Sequence, residues 1–153
     1  MYLGMPNEYP AQPRAAVGAI VFKDEKVLLV TRGQPPSEGL WAIPGGSVKL
    51  GETLQNAAER EIREETGIII RAKEPIFIFD AIEKDEKGKI RFHYVIVDLK
   101  ADYIEGEPQG RSDAADARWV SPSELNRFNV NRTTRQLLKK EFDFGPKLPF
   151  RED

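Results

Sequence analysis

Three glutamates carry the most chemistry in this sequence: Glu61, Glu64 and Glu65. At spacings of three and four residues a helix projects all three carboxylates from one face. Like charges placed this way repel each other. A hard divalent cation removes the repulsion, because it takes carboxylate oxygens and keeps several water ligands. Mg²⁺ suits that donor set, with Mn²⁺ as a substitute. The alternative is a solvated acidic face neutralised by Arg60 and Arg63. Glu59 lies off this face and can pair with Arg63, four residues on. Just upstream, Gly45, Gly46 and Gly51 allow the backbone to come close to a ligand.

Composition removes the competing chemistries. The 153 residues include no cysteine and one histidine, so a disulfide framework, thiol catalysis, cysteine-ligated zinc and a histidine-rich metal centre are excluded. The 23 Lys and Arg against 25 Asp and Glu leave a net charge of −2, which argues against a broad nucleic-acid-binding face. No window approaches the roughly 20 apolar residues of a membrane helix, and the first residues lack the pattern of a signal peptide. The expected compartment is therefore the cytoplasm.

The elements that must position the glutamates follow from pattern and punctuation. Residues 53–66 form the best helix, with Thr53 as N-cap, Gly67 as C-cap and Leu54, Ala58 and Ile62 as its apolar stripe. Strands are expected over 14–22, 27–31, 40–44, 75–83, 90–100 and 115–120, with loops at 33–39 and 101–112. Gly88 suits a hairpin turn at 84–89. Ser121-Pro122-Ser123-Glu124 is a capping box that opens a short helix, and 133–142 is the last helix. Residues 1–13, with three prolines, read as an extended arm before a single domain spanning 14–153. The fold class is α+β, with a mixed sheet.

The segment 46–68 fits a longer pattern, filled by Gly46, Glu52, Arg60, Glu61, Ile62, Glu64, Glu65, Gly67 and Ile68. It resembles the signature of the Nudix hydrolases. Seven of its positions demand one residue type, so a chance match is on the order of 10⁻⁹ per window. The resemblance extends over about residues 14–140, through the strands at 27–30 and 40–44 and the strand and helix at 117–125. It implies an α/β/α sandwich and hydrolysis of a nucleoside diphosphate linked to another moiety. It also implies Glu64 and Glu65 as metal ligands, Glu61 as a further ligand or the base, and the Gly46 carbonyl in the metal shell. Glu52 would support the site by pairing with Arg60. Asp113, six residues before Trp119, resembles the family's downstream acidic residue, a ligand or base, with simple loop solvation as the alternative; Asp116 shares its loop. Arg32 resembles a substrate-phosphate arginine. Trp41 is a core residue or a platform for a base; Phe77, Phe79, Phe92 and Tyr94 pack the sheet, with base stacking by one of them as the alternative, and His93 is a structural strand residue, with a substrate contact as the alternative.

The overall pattern resembles short bacterial ADP-ribose or nucleoside diphosphate sugar pyrophosphatases. The stretch around Ile82 to Asp85 departs from larger ADP-ribose hydrolases in having no proline. A nucleoside triphosphate pyrophosphohydrolase is the alternative, and a silent nucleotide-binding module the reading from another class. Relatives of this length often dimerise, and the apolar residues of the arm lead to the expectation of a homodimer.

Overall fold

The computed structural model describes residues 8–32 and 39–146, with only the backbone of Arg32. Among these, seven strands form one mixed sheet: β1 (Arg14–Lys23), β2 (Lys26–Arg32), β3 (Trp41–Ala42), β4 (Gly45–Ser47), β5 (Ile69–Lys84), β6 (Ile90–Glu105) and β7 (Ala114–Val120). Helix α1 (Leu54–Thr66) separates β4 from β5. A 3₁₀ turn (Pro122–Asn126) and helix α2 (Arg132–Phe142) follow β7. The expected loop at 33–39 falls largely outside the described residues.

Strand β1 is central and buried on both faces, which explains its unbroken apolar run. It is parallel to β6 and antiparallel to its other partners. Ala16 and Ile20 point into a core shared with Leu137 and Leu138 of α2. Val17, Ala19 and Val21 point the other way, against Ala57, Ala58 and Ile62 of α1. Helix, sheet and helix therefore stack in three layers, the α/β/α arrangement expected from the sequence.

Strands β1 and β2 pair at their shared turn, Phe22 with Val27 and Lys23 with Lys26. Further along, β1 pairs with β4 through Ala16, Val17 and Gly18, while β2 pairs with β3 through Val30 and Thr31. The sheet thus divides at this end. Gly45 and Gly46 enter beside β1 at the place where α1 crosses.

Two expectations need correction. Residues 101–105, read as irregular, continue β6, and 69–74, left unassigned, begin β5. The two strands make a hairpin with 16 residues on each side. These stretches mix polar and apolar residues without a clean alternation, and their order comes from cross-strand pairing and from burial of Ile70 and Ala101: Ile70 lies opposite Tyr103, Ala72 opposite Ala101, and Lys73 Nζ 2.8 Å from Asp102 Oδ2. Pro75 is tolerated because β5 is an edge strand and its register shifts on both sides of that residue. At the tip, Asp85 Oδ1 accepts from the Lys87 and Lys89 amides, and Gly88 has φ +82°.

The described end of the arm lies on this hairpin. The Tyr9 amide donates to Arg91 O at 2.7 Å, the Tyr9 hydroxyl donates to Asp85 at 3.0 Å, and Arg91 pairs with Glu8. Residues 1–7 lie outside the described part. No helix among the described residues is long and apolar enough to cross a membrane.

Candidate active site

Helix α1 forms where its caps say it should. The Thr53 hydroxyl accepts from the Asn56 amide at 3.1 Å, and Gly67 closes the helix in the left-handed conformation at φ +76°. Ala57, Ala58, Glu61, Ile62, Glu65 and Thr66 are buried. Two of the three glutamates therefore sit on the packed face, at 7% and 2% exposure, while the Glu64 side chain is 47% exposed. The helix periodicity brings the three together, and the sheet decides which of them lose water.

Glu61 lies against Gly46. A Cβ at position 46 would stand 2.6 and 2.7 Å from the two Glu61 carboxylate oxygens, so only glycine leaves room for them. The guanidinium of Arg60 organises the neighbourhood. Its Nε and Nη2 bind the two Glu52 oxygens at 2.7 and 2.8 Å, Nη2 also donates to Ser47 O at 3.0 Å, and Nη1 reaches Glu61 at 2.9 Å and Glu64 at 3.2 Å. Glu52 also accepts from the Lys49 amide at 2.8 Å. The loop entering α1 is thereby tied to the helix, as expected for a supporting pair. The forked hydrogen bonds from Arg60 hold the Glu52 carboxyl down at a pKa of about 2. Glu59 does not use Arg63 in the way the helix spacing allowed. It crosses to β5 and accepts from the Ala72 amide at 3.0 Å.

Glu65 is the unusual group. Both carboxylate oxygens are buried and neither makes a well-aligned hydrogen bond among the described residues, although the Gly45 amide is near enough to act on the charge. Burial raises its pKa well above the ordinary carboxylate value, the nearby Glu61 charge adds to the rise, and the Gly45 backbone opposes it. Burial also raises the Glu61 pKa, against the pull of Arg60. Asp113 contributes repulsion at both carboxyls, so the fold brings this loop residue, just before β7, within electrostatic reach of the glutamates.

A buried, unpartnered carboxylate beside a second one packed on a glycine fits a divalent cation with oxygen ligands. As placed, the carboxylates do not converge: no three acidic or histidine side chains among the described residues come together as an ion site. Arg60 draws Glu61 and Glu64 towards itself. Glu64 is the more easily withdrawn, being half-exposed and held by the longer contact.

The other expected site residues are distributed differently. Arg32 ends β2 opposite Ala114, the residue after Asp113, and its side chain lies outside the described residues. Trp41 packs edge-on against Phe128, with ring centroids 5.1 Å apart, and its backbone is held by Asn129 and Asn131, so its core role is the one seen. Asp116 is engaged by Arg118 at 2.8 Å, and His93 sits in β6 opposite Ile82. Phe92 and Tyr94 are buried in the core, with Phe77 and Phe79 packed at its margin. Sequence reasoning missed Gln109 and Arg111, whose amides donate to Thr66 O and Glu65 O, both at 2.9 Å. A polar loop carries no local sign that it caps a helix more than 40 residues upstream, with Gln109 on Thr66 and Arg111 on Glu65.

Comparison with known proteins agrees with this geometry. The family model described as NUDIX domain matches residues 12–140. The chain is 36% identical over 113 residues to an ADP-ribose pyrophosphatase of Methanocaldococcus jannaschii, covering 74% of this chain and 64% of that relative, just under two thirds of its length. It is 32% identical over 108 residues to the nucleoside triphosphatase NudI of Escherichia coli, covering 66% of this chain and 75% of that one. Among solved structures, a MutT protein of Bacillus halodurans superposes with a TM-score of 0.65 at 29% identity, covering 84% of this chain and 81% of that chain. The NUDIX domain of Shewanella oneidensis NrtR, at 24% identity and a TM-score of 0.68 over 88% of this chain and 89% of that one, shares the fold. With the family match spanning residues 12–140 and two of the three motif glutamates on the packed face of α1, this chain belongs to the NUDIX domain family.

Proposed function

We propose that the protein hydrolyses the diphosphate of a nucleoside diphosphate linked to a sugar, with ADP-ribose as the leading substrate, in a reaction that needs Mg²⁺ or Mn²⁺. The observation that carries the chemistry is the unpartnered, buried carboxylate of Glu65 beside Glu61 and the Gly46 backbone. The preference for ADP-ribose rests on the likeness to the M. jannaschii enzyme.

Glu61, Glu64 and Glu65 would hold the ion, with the Gly46 backbone alongside. The bound ion supplies charge neutralisation for the diphosphate and lowers the pKa of coordinated water. Burial of Glu61 and Glu65 removes competing solvent from their inner side, and Arg60 fixes the helix against the loop through Glu52 and Ser47. Asp113 would take the proton from the attacking water. It is exposed and has no ion pair among the described residues, whereas Glu61 is committed to Arg60 and packed on Gly46. Arg32, at the end of β2 by the divided end of the sheet, would contact substrate.

The test is a panel of nucleoside diphosphate sugars and nucleoside triphosphates assayed with Mg²⁺ and with excess chelator. The expected result is AMP and ribose 5-phosphate from ADP-ribose, with ¹⁸O from labelled water in one phosphate product, and no turnover in chelator. Release of ADP and free ribose would mean glycosidic cleavage and would overturn the reading. Pyrophosphate released from triphosphates, without turnover of ADP-ribose, would favour the second reading, which the likeness to NudI supports.

The same proposal includes a homodimer. Ile78, Ile82 and Val95 are exposed on one face of the β5–β6 hairpin, at 64%, 53% and 36%, and β5 is an edge strand. Light scattering at micromolar concentration should give about twice the 17.3 kDa chain mass; a monomer mass would remove the dimer.

A further inference from the structure

The loop before β7 is fastened to the end of α1 by more than chain connectivity. The last carbonyls of a helix have no partners within it. Here Glu65 O accepts from the Arg111 amide and Thr66 O from the Gln109 amide. The Arg111 guanidinium lies over Gly67: a Cβ there would stand 3.0 Å from Cζ and 3.1 Å from Nη2. A cation at this position faces the negative end of the helix dipole. Two further close approaches thread the loop. A Cβ at Gly106 would meet Gly67 O at 2.8 Å, and one at Gly110 would meet the Ala115 carbonyl group at 2.7 Å. The Ala114 amide then donates to Arg111 O at 2.9 Å, closing a turn over 111–114 in which Ser112 has φ +54°. Asp113 is displayed on that turn, with its charge felt at Glu61 and Glu65.

We propose that Arg111 is a positioning residue, which clamps the 111–114 turn to the C-terminal end of α1 and so holds Asp113 in register with the glutamates. The proposal rests on Asp113 as the proton acceptor. Helix and loop then move as one body, and the proton acceptor keeps its distance from the carboxylates that α1 carries. Arg111 is exposed and lies outside the core clusters, so R111A is expected to keep the fold. Gln109, whose Oε1 accepts from Arg111 Nη2 at 3.3 Å, belongs to the same clamp.

The test combines R111A, R111K, D113N and the R111A/D113N double variant. R111A should lower kcat roughly tenfold to a hundredfold, the scale of a misplaced reacting group, with KM changed by less than about threefold. R111K, which keeps the cation, should recover part of the loss. In the D113N background R111A should cost no more than about twofold, because the residue it positions no longer accepts a proton. Amide hydrogen exchange of the metal-free protein gives a readout independent of turnover: residues 111–114 should exchange faster in R111A while the middle of α1 stays protected. Losses that multiply in the double variant, or unchanged exchange at 111–114, would overturn the clamp. D113N at the wild-type rate would instead overturn the reading of Asp113, and the positioning role with it. In that case, faster exchange in R111A would still show that the contact orders the loop.

Discussion

Glu65→Gln should lower kcat by about 10²–10⁴, the scale of losing a principal electrostatic or acid–base group, and at the same time make the metal-free protein more stable. The two effects share one cause. Glu65 is 2% exposed with no partner among the described residues, and burial places its folded-state pKa well above the ordinary value of 4.5. A carboxyl whose pKa rises on folding lowers stability progressively as pH climbs above its unfolded value of 4.5, and the full cost is present above the folded pKa. The metal-free wild type should therefore lose melting temperature as the pH rises from the ordinary carboxylate range towards neutrality, and Glu65→Gln should flatten that slope. A relief of about 1 kcal/mol corresponds to roughly 2–4 °C for a chain of this size. Glu52 acts in the opposite sense: its lowered pKa stabilises the fold above the unfolded value and is lost only as pH falls towards about 2, outside that window. Thermal melts with and without Mg²⁺, run beside kinetics, test the pairing. An inactive variant whose metal-free melting temperature falls would mean that Glu65 serves the fold rather than an ion.

Gly46→Ala should be almost as damaging to activity, by geometry rather than charge. The added methyl would stand 2.5 Å from the Glu61 carboxyl carbon. The carboxylate is the end of a flexible side chain, so it moves aside and gives up its 2.9 Å contact with Arg60. Overpacking of this kind costs about 1–3 kcal/mol. The displaced carboxylate should lower kcat/KM by about 10²-fold, as expected for a reacting-centre group moved by about an ångström. The variant Glu61→Ala provides the control. With the colliding carboxylate gone, Gly46→Ala should cost little further stability. A stability cost that stays the same in both backgrounds would place the clash elsewhere.

What the sequence determined by itself was local. The caps at Thr53 and Gly67, the apolar stripe and the carboxylate spacing all lie within one helix, so periodicity and hydrogen-bond chemistry define α1 and its acidic face without reference to the rest of the chain. The Glu52–Arg60 pair, eight residues apart across the loop into the helix, was legible for the same reason. Tertiary structure decided everything that depends on a distant partner. It extended β5 and β6 through stretches of mixed polarity, because strand order there comes from the opposite strand. It sent Glu59 to the Ala72 amide instead of Arg63 and gave Trp41 to Phe128. It separated three chemically identical glutamates, leaving Glu64 half in water while β4 and the divided sheet desolvate Glu61 and Glu65. It also brought the Asp113 charge within reach of them and placed Arg111 on Gly67. Spacing along a helix fixes which side chains share a face; only the packing of that face against the sheet fixes their dielectric surroundings, and with them which carboxylate is left buried without a partner.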